Sequence, residues 1–123
     1  MYEIYANVGD NILIEYNGKS YICALDLGFE IIRGKWKAVI LCHLSDGPKR
    51  FLELQRITCG VSQKVLSESL KQLEVDEIIS KHIYAEMPPR VEYSLTGKGK
   101  ELVPALKIIE EWSKNNFSNI LNK

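Results

Sequence analysis

The chain has 123 residues, with 16 Lys and Arg balanced by 16 Asp and Glu, and 46% of it is apolar. That is enough apolar material for one domain with a real core, and it excludes intrinsic disorder. No apolar run approaches the roughly 20 residues that span a bilayer. The start, MYEIYANVGDN, has no basic stretch leading into an apolar core, so a signal peptide is not expected and a cytoplasmic location is.

The neutral total hides a segregation. Residues 1–30 hold five acids against Lys19, a balance of −4. Residues 31–64 hold Arg33, Lys35, Lys37, Lys49, Arg50, Arg56 and Lys64 against Asp46 and Glu53, a balance of +5. The remainder comes to −1. A basic stretch of this kind suits a surface that touches phosphates.

In chain order, residues 1–22 read as extended. Asn11–Tyr16 and Ser20–Cys23 are rich in β-branched and aromatic residues. Asn17-Gly18 between them fits a two-residue hairpin turn, whose central positions both need positive φ. Residues 24–33 carry a short helical pattern that Gly34 breaks. Lys35–Leu44 resumes it, with Trp36 expected as a core anchor and His43 at the helix end, where its charge meets the last carbonyls. Ser45-Asp46-Gly47-Pro48 is a turn.

Gly47–Leu73 then holds two amphipathic patterns around Thr58-Cys59-Gly60. In the first, Phe51, Leu52, Leu54 and Ile57 share a face. In the second, beginning at Ser62, Val65, Leu66, Leu70 and Leu73 do. Helix, glycine turn and helix is the order of a helix-turn-helix, and equally of an ordinary packed helix pair. Ile78–Ala85 and Val91–Leu95 read as strands joined through Pro88-Pro89, a hairpin placed where a wing would lie. Thr96 suits the N-cap of a final helix striped by Leu102, Leu106, Ile109 and Trp112, which Pro104 should kink or restart.

Cys23, Cys42 and Cys59 are too scattered for a disulfide framework or a zinc site, and His43 and His82 complete no ligand set. No paired carboxylates, nucleophile with its base, or phosphate-binding glycine loop is legible. Neither an enzyme nor a cofactor is therefore expected.

Longer strings carry a resemblance: Ile32-Arg33-Gly34-Lys35-Trp36-Lys37, Gly47-Pro48-Lys49-Arg50-Phe51, Val61-Ser62-Gln63-Lys64-Val65-Leu66-Ser67 and Pro88-Pro89-Arg90-Val91-Glu92-Tyr93-Ser94-Leu95-Thr96. Over residues 23–113 the chain resembles the HxlR-type, MarR-like family of winged helix-turn-helix transcriptional regulators. The resemblance implies an α+β, mostly helical fold: a winged helix-turn-helix with a β-hairpin wing and N- and C-terminal dimerisation helices. The extra N-terminal β-hairpin, read from the residues around Asn17-Gly18, has no place in the family pattern. The chain is thus divided into a hairpin-like extension at 1–22, the winged domain at 23–113 and a tail at 114–123. The resemblance implies a homodimer on a palindromic operator in double-stranded DNA, with no membrane partner and an unidentified effector. It also implies a response to oxidants or electrophiles through a cysteine ahead of the first helix, the position of Cys23. Two residues depart from the family pattern: Ala24 where proline is frequent, and Glu77 where glycine is.

On that frame Ser62, Gln63, Lys64, Ser67 and Lys71 line the recognition helix. Gln63 is suited to adenine, and Lys64 to guanine or phosphate. Lys49 and Arg50 hold phosphates at the start of the preceding helix. Arg90, at the wing tip, reaches the minor groove or its flanking phosphates. The alternative is a winged helix that serves only as a protein–protein interaction module, which needs no coherent basic stripe.

Overall fold

The computed structural model describes residues 2–8 and 11–121, and side chains from 13 to 119. It divides into two units, Met1–Gly34 and Lys35–Lys123. The division falls later than residue 22, so the first helix groups with the N-terminal strands.

The first unit is a three-stranded antiparallel sheet and one helix. The strands are β1 (Tyr2–Val8), β2 (Asn11–Tyr16) and β3 (Lys19–Tyr21), in that order. The expected hairpin is β2–β3. Asn17 and Gly18 turn with φ of 53° and 81°, both positive, as a type I′ turn demands. Ile14 pairs opposite Tyr21, and both are buried. Residues ahead of Asn11 were expected to be extended but not assigned a strand or a partner; β1 adds to β2 with Tyr2 opposite Tyr16 and an irregularity between Ile4 and Asn7. Helix α1 (Ala24–Ile31) follows Cys23, whose extended backbone occupies the N-cap position. Glu30 at its far end takes Arg33 at 3.1 Å and Lys19 at 4.0 Å.

The second unit runs α2 (Lys37–His43), a single 3₁₀ turn (Leu44–Asp46), α3 (Phe51–Ile57), α4 (Gln63–Val75), β4 (Ile79–Tyr84), β5 (Arg90–Leu95), α5 (Gly97–Asn116) and a short α6 (Ser118–Leu121). Its core is aliphatic: Ile40, Leu41 and Leu44 from α2 and the turn after it, Leu54 from α3, Leu66, Leu70 and Leu73 from α4, Ile78 and Ile79 beside β4, and Leu106 from α5. Burying residues of this size contributes about 1.5–3 kcal/mol each, which holds the helices at fixed angles to one another. Trp36 is not the fully enclosed anchor expected of it. It is half-buried at the N-terminus of α2, with Lys35 Nζ 4.9 Å from its ring centre.

The junction of α4, wing and α5 is hydrogen-bonded from both sides. At the end of α4 the Glu77 N–H donates to the Glu74 carbonyl at 3.0 Å, and the Ile78 N–H to the Leu73 carbonyl at 2.9 Å. This is a Schellman motif, which needs a left-handed residue at Glu77; its φ is 59°. Thr96 closes the other side. Its hydroxyl donates toward the Glu77 and Ile78 carbonyls at 2.6 and 3.0 Å and accepts from the Gly99 N–H at 3.3 Å, capping α5 as expected. Gly99 lies so close to the Ile78 carbonyl that any Cβ there would collide with it. Helix α5 continues through Pro104 without restarting.

Candidate nucleic-acid interface

The helix-turn-helix is built from local chemistry at each joint. Glu53 Oε1 reaches back to the Arg50 backbone N–H at 3.1 Å, satisfying a donor at the start of α3. The turn passes through Gly60 at φ 91°, with Trp36 packed 3.6 Å from where its Cβ would stand. Ser62 Oγ then accepts from the Val65 N–H at 3.1 Å and caps α4. The cap leaves the Ser62 hydroxyl proton available to an outside acceptor.

Helical spacing sorts the rest of α4. Leu66, Leu70 and Leu73 are buried, and Val65 is half-buried. Gln63, Lys64, Ser67, Glu68 and Lys71 are exposed, in steps of three and four that keep them on one face. Lys64 and Lys71 form no ion pair with another described residue, so Lys71 is not neutralised by the neighbouring Glu68 or Glu74. Arg50 is likewise exposed and unpaired among the described residues.

Lys49 and Arg90 are placed differently from expectation. Lys49 exchanges two backbone hydrogen bonds with Tyr93 on β5: its N–H donates at 3.0 Å and its carbonyl accepts at 2.8 Å. The segment before α3 is thereby tied to the wing. Its side chain is only 18% exposed, and its ammonium pairs with Asp46 at 2.7 Å. That partner, supplying a hydrogen bond and a charge, holds the Asp46 carboxyl below the usual range. Arg90 is the first residue of β5, opposite Tyr84, so it stands beneath the wing tip formed by 85–89. Its guanidinium lies 3.9 Å from the Tyr84 ring centre and pairs with Glu86 at 3.1 Å. Its Nε is buried without a hydrogen-bond partner. Sequence reasoning missed Asp46, Glu86, Tyr84 and Tyr93. The first two carried a signal, opposite charges at i,i+3 and i,i+4. The aromatic contacts depend on strand register and left none.

The three cysteines differ in setting. Cys23 and Cys59 are exposed. Cys42 is partly enclosed on α2, and its burial pushes the thiol pKa up; Lys107 opposes the rise and Glu110 adds to it. Asp26 turns back from α1 to accept the Ile22 N–H at 3.0 Å, which sets a carboxylate at the helix start beside Cys23. Among the described residues no group of His, Cys, Asp and Glu could hold a metal ion, and no helix is long and apolar enough to cross a membrane.

A helix-turn-helix followed by a two-stranded wing defines the winged-helix class. The HxlR-like helix-turn-helix family model matches residues 31–120, so the chain belongs to that family. An uncharacterised HTH-type transcriptional regulator of Methanothermobacter thermautotrophicus is 43% identical over 94 residues, covering 76% of this chain and 72% of that protein. Among solved structures, the redox regulator HypR in its reduced form is 36% identical with a TM-score of 0.76, covering 82% of this chain and all of that one. The reduced form of the transcriptional regulator YodB from B. subtilis is 35% identical with a TM-score of 0.68, covering 75% of this chain and 91% of that one. The chain is a transcriptional regulator of the helix-turn-helix type.

Proposed function

We propose that this regulator binds double-stranded DNA as a homodimer, with α4 in the major groove of each half-site of a palindromic operator. The observation that carries the reading is the exposed face of α4, where Gln63, Lys64, Ser67 and Lys71 stand together on a helix whose other side is anchored in the core. Gln63 reads adenine, Lys64 reads guanine or a phosphate, and Ser62, Ser67 and Lys71 place the helix along the backbone. Arg50 holds phosphate at the start of α3, and Lys49 and Arg90 extend the contact to the wing strand. Dimerisation is supported by the apolar side chains that α5 leaves exposed, Ile108, Ile109 and Trp112. Two copies joined there carry recognition helices about one DNA turn apart.

The same reading makes Cys23 the site of an oxidant or electrophile response. It is exposed and precedes the first turn of α1. The likeness to the redox regulator HypR and to the reduced form of YodB supports a redox response in this chain, with the exposed Cys23 as its thiol. Cys23 lies ahead of the family-matched span, which begins at residue 31.

One experiment tests both parts. DNA sequences are selected from a random pool with reduced and with oxidised protein. A palindromic consensus whose half-sites are one turn apart, lost or altered on oxidation and insensitive to oxidation in Cys23→Ser, is expected. A pool that stays random overturns DNA recognition and leaves the interaction-module reading. A consensus that oxidation changes equally in Cys23→Ser overturns the role of that thiol.

A further inference from the structure

The two cations that link the helix-turn-helix to the wing are already engaged within the chain. Lys49 Nζ is 2.7 Å from Asp46 Oδ1, and Arg90 is 3.1 Å from Glu86 Oε2. They flank one structural unit, because Lys49 is bridged to Tyr93 on the strand that Arg90 begins. By contrast the charged groups of Arg50, Lys64 and Lys71 form no ion pair among the described residues. The carboxylates are the more exposed partner in both pairs, at 78% for Asp46 against 18% for Lys49 and 50% for Glu86 against 31% for Arg90. They stand outermost, where an approaching phosphate would arrive.

Resting on the DNA-binding reading above, we propose that Asp46 and Glu86 are internal competitors for the phosphate positions on Lys49 and Arg90, and so set the affinity and salt dependence of DNA binding. A phosphate that reaches Arg90 displaces the Glu86 carboxylate or shares the guanidinium with it. In either case one negative charge is exchanged for, or set against, another. The Tyr84 ring, its centre 3.9 Å from the guanidinium carbon, restrains the group during the exchange. The pair thus leaves Arg90 oriented while withholding most of its charge. The arrangement favours sites whose bases match α4 over sites offering only backbone, since phosphate attraction alone is what the carboxylates subtract.

The test uses the full chain and a labelled duplex of mixed sequence a few helical turns long, titrated between about 50 and 200 mM salt. Asp46→Asn and Glu86→Gln keep side-chain shape and remove the competing charge. Each is expected to tighten binding on the order of threefold at low salt, as one further phosphate contact on the freed cation implies. Each is also expected to steepen the log–log salt slope by about one ion per protomer. Because the gain works through the paired cation, Glu86→Gln in an Arg90→Ala background, and Asp46→Asn in a Lys49→Ala background, should bring little tightening. Weaker or unchanged binding in the single variants overturns the proposal and assigns the carboxylates to holding the cations in place. An equal gain in both backgrounds overturns it also, leaving only general repulsion. Wild-type protein that binds without salt dependence refutes the DNA reading itself. Thermal melts of all variants confirm that the compared proteins are folded.

Discussion

The first helical turn of α5 is pressed against the start of the wing, and Gly99 makes that possible. Replacing Gly99 with Ala sets a methyl group against the Ile78 carbonyl, with Leu95 Cδ2 3.0 Å away. The carbonyl cannot retreat cheaply, because it accepts from the Thr96 N–H at 3.1 Å and from the Thr96 hydroxyl at 3.0 Å. Overpacking of this kind costs about 1–3 kcal/mol, and each hydrogen bond loosened about 0.5–1.5 more. Against that stands up to about 1 kcal/mol of helix propensity gained. The net expectation is a loss of about 1–3 kcal/mol. Gly97 is the internal control: it is in the same helical turn, with nothing within 4 Å of its would-be Cβ. Gly97→Ala should stabilise by about 0.4–1 kcal/mol through the unfolded chain alone. Urea unfolding of both variants measures the difference, read from midpoints at unchanged slope. If Gly99→Ala is as stable as Gly97→Ala, the α5–wing contact is not the constraint described.

Three further outcomes are expected. Glu77 sits at φ 59° and pairs with Lys98 at 3.3 Å, both groups well exposed. Relief of the left-handed backbone should make Glu77→Gly about 1 kcal/mol more stable than Glu77→Ala in urea unfolding, and equal stability would show that the turn carries no strain. Thr58 is 1% exposed, and its Oγ1 has no hydrogen-bond partner. Thr58→Val should therefore stabilise by about 1 kcal/mol while Thr58→Ser destabilises, and a loss in Thr58→Val would reveal a hidden partner for the hydroxyl. Cys42 should alkylate more slowly than Cys23 and Cys59 in native protein, as followed by mass spectrometry, and catch up in urea. Its folded pKa is raised above the ordinary 9.0 by burial. Its contribution to stability is then complete below that value and is lost as pH rises toward the folded pKa, so Cys42→Ala should flatten the decline in stability at high pH.

Most of the winged unit was legible because local signals and the core pattern agreed. Ser62 and Thr96 cap the helices that their positions announce, and the spacing of Leu66, Leu70 and Leu73 selects the buried face of α4. Asn17-Gly18 located its hairpin because two positive φ values are needed there. Strand β1 was missed although Gly9-Asp10, the two residues between Val8 and Asn11, is a hairpin signal of the same kind as Asn17-Gly18. What else escaped depends on partners distant in sequence or on competing surfaces. Trp36 is half-buried because its ring lies over the Gly60 turn and meets Lys35, where its large apolar surface had assigned it to the core. At the candidate site, sequence named the cations but not their engagement. Arg90 is under the wing tip, stacked and paired, because the register of β4 with β5 sets it opposite Tyr84.

That engagement alters how a chain of zero net charge can attract DNA. Seven bases lie between residues 31 and 64, yet they do not make seven units of free positive surface. Arg33 is paired with Glu30 and Lys49 with Asp46, and Lys37 is 9% exposed. Lys35, Arg50, Arg56 and Lys64 remain exposed and outside any ion pair among the described residues, and α4 adds Lys71. If these five meet phosphates, they account for a salt slope of about 4–5 per protomer, since each phosphate neutralised contributes about 0.9. A wild-type slope well above that value would bring in further cations, the exposed Lys81 on β4 or Lys49 and Arg90 released from their carboxylates. A slope at or below it is what Lys35 ahead of α2, Arg50 and Arg56 at α3, and Lys64 and Lys71 on α4 supply while Asp46 and Glu86 keep Lys49 and Arg90 engaged.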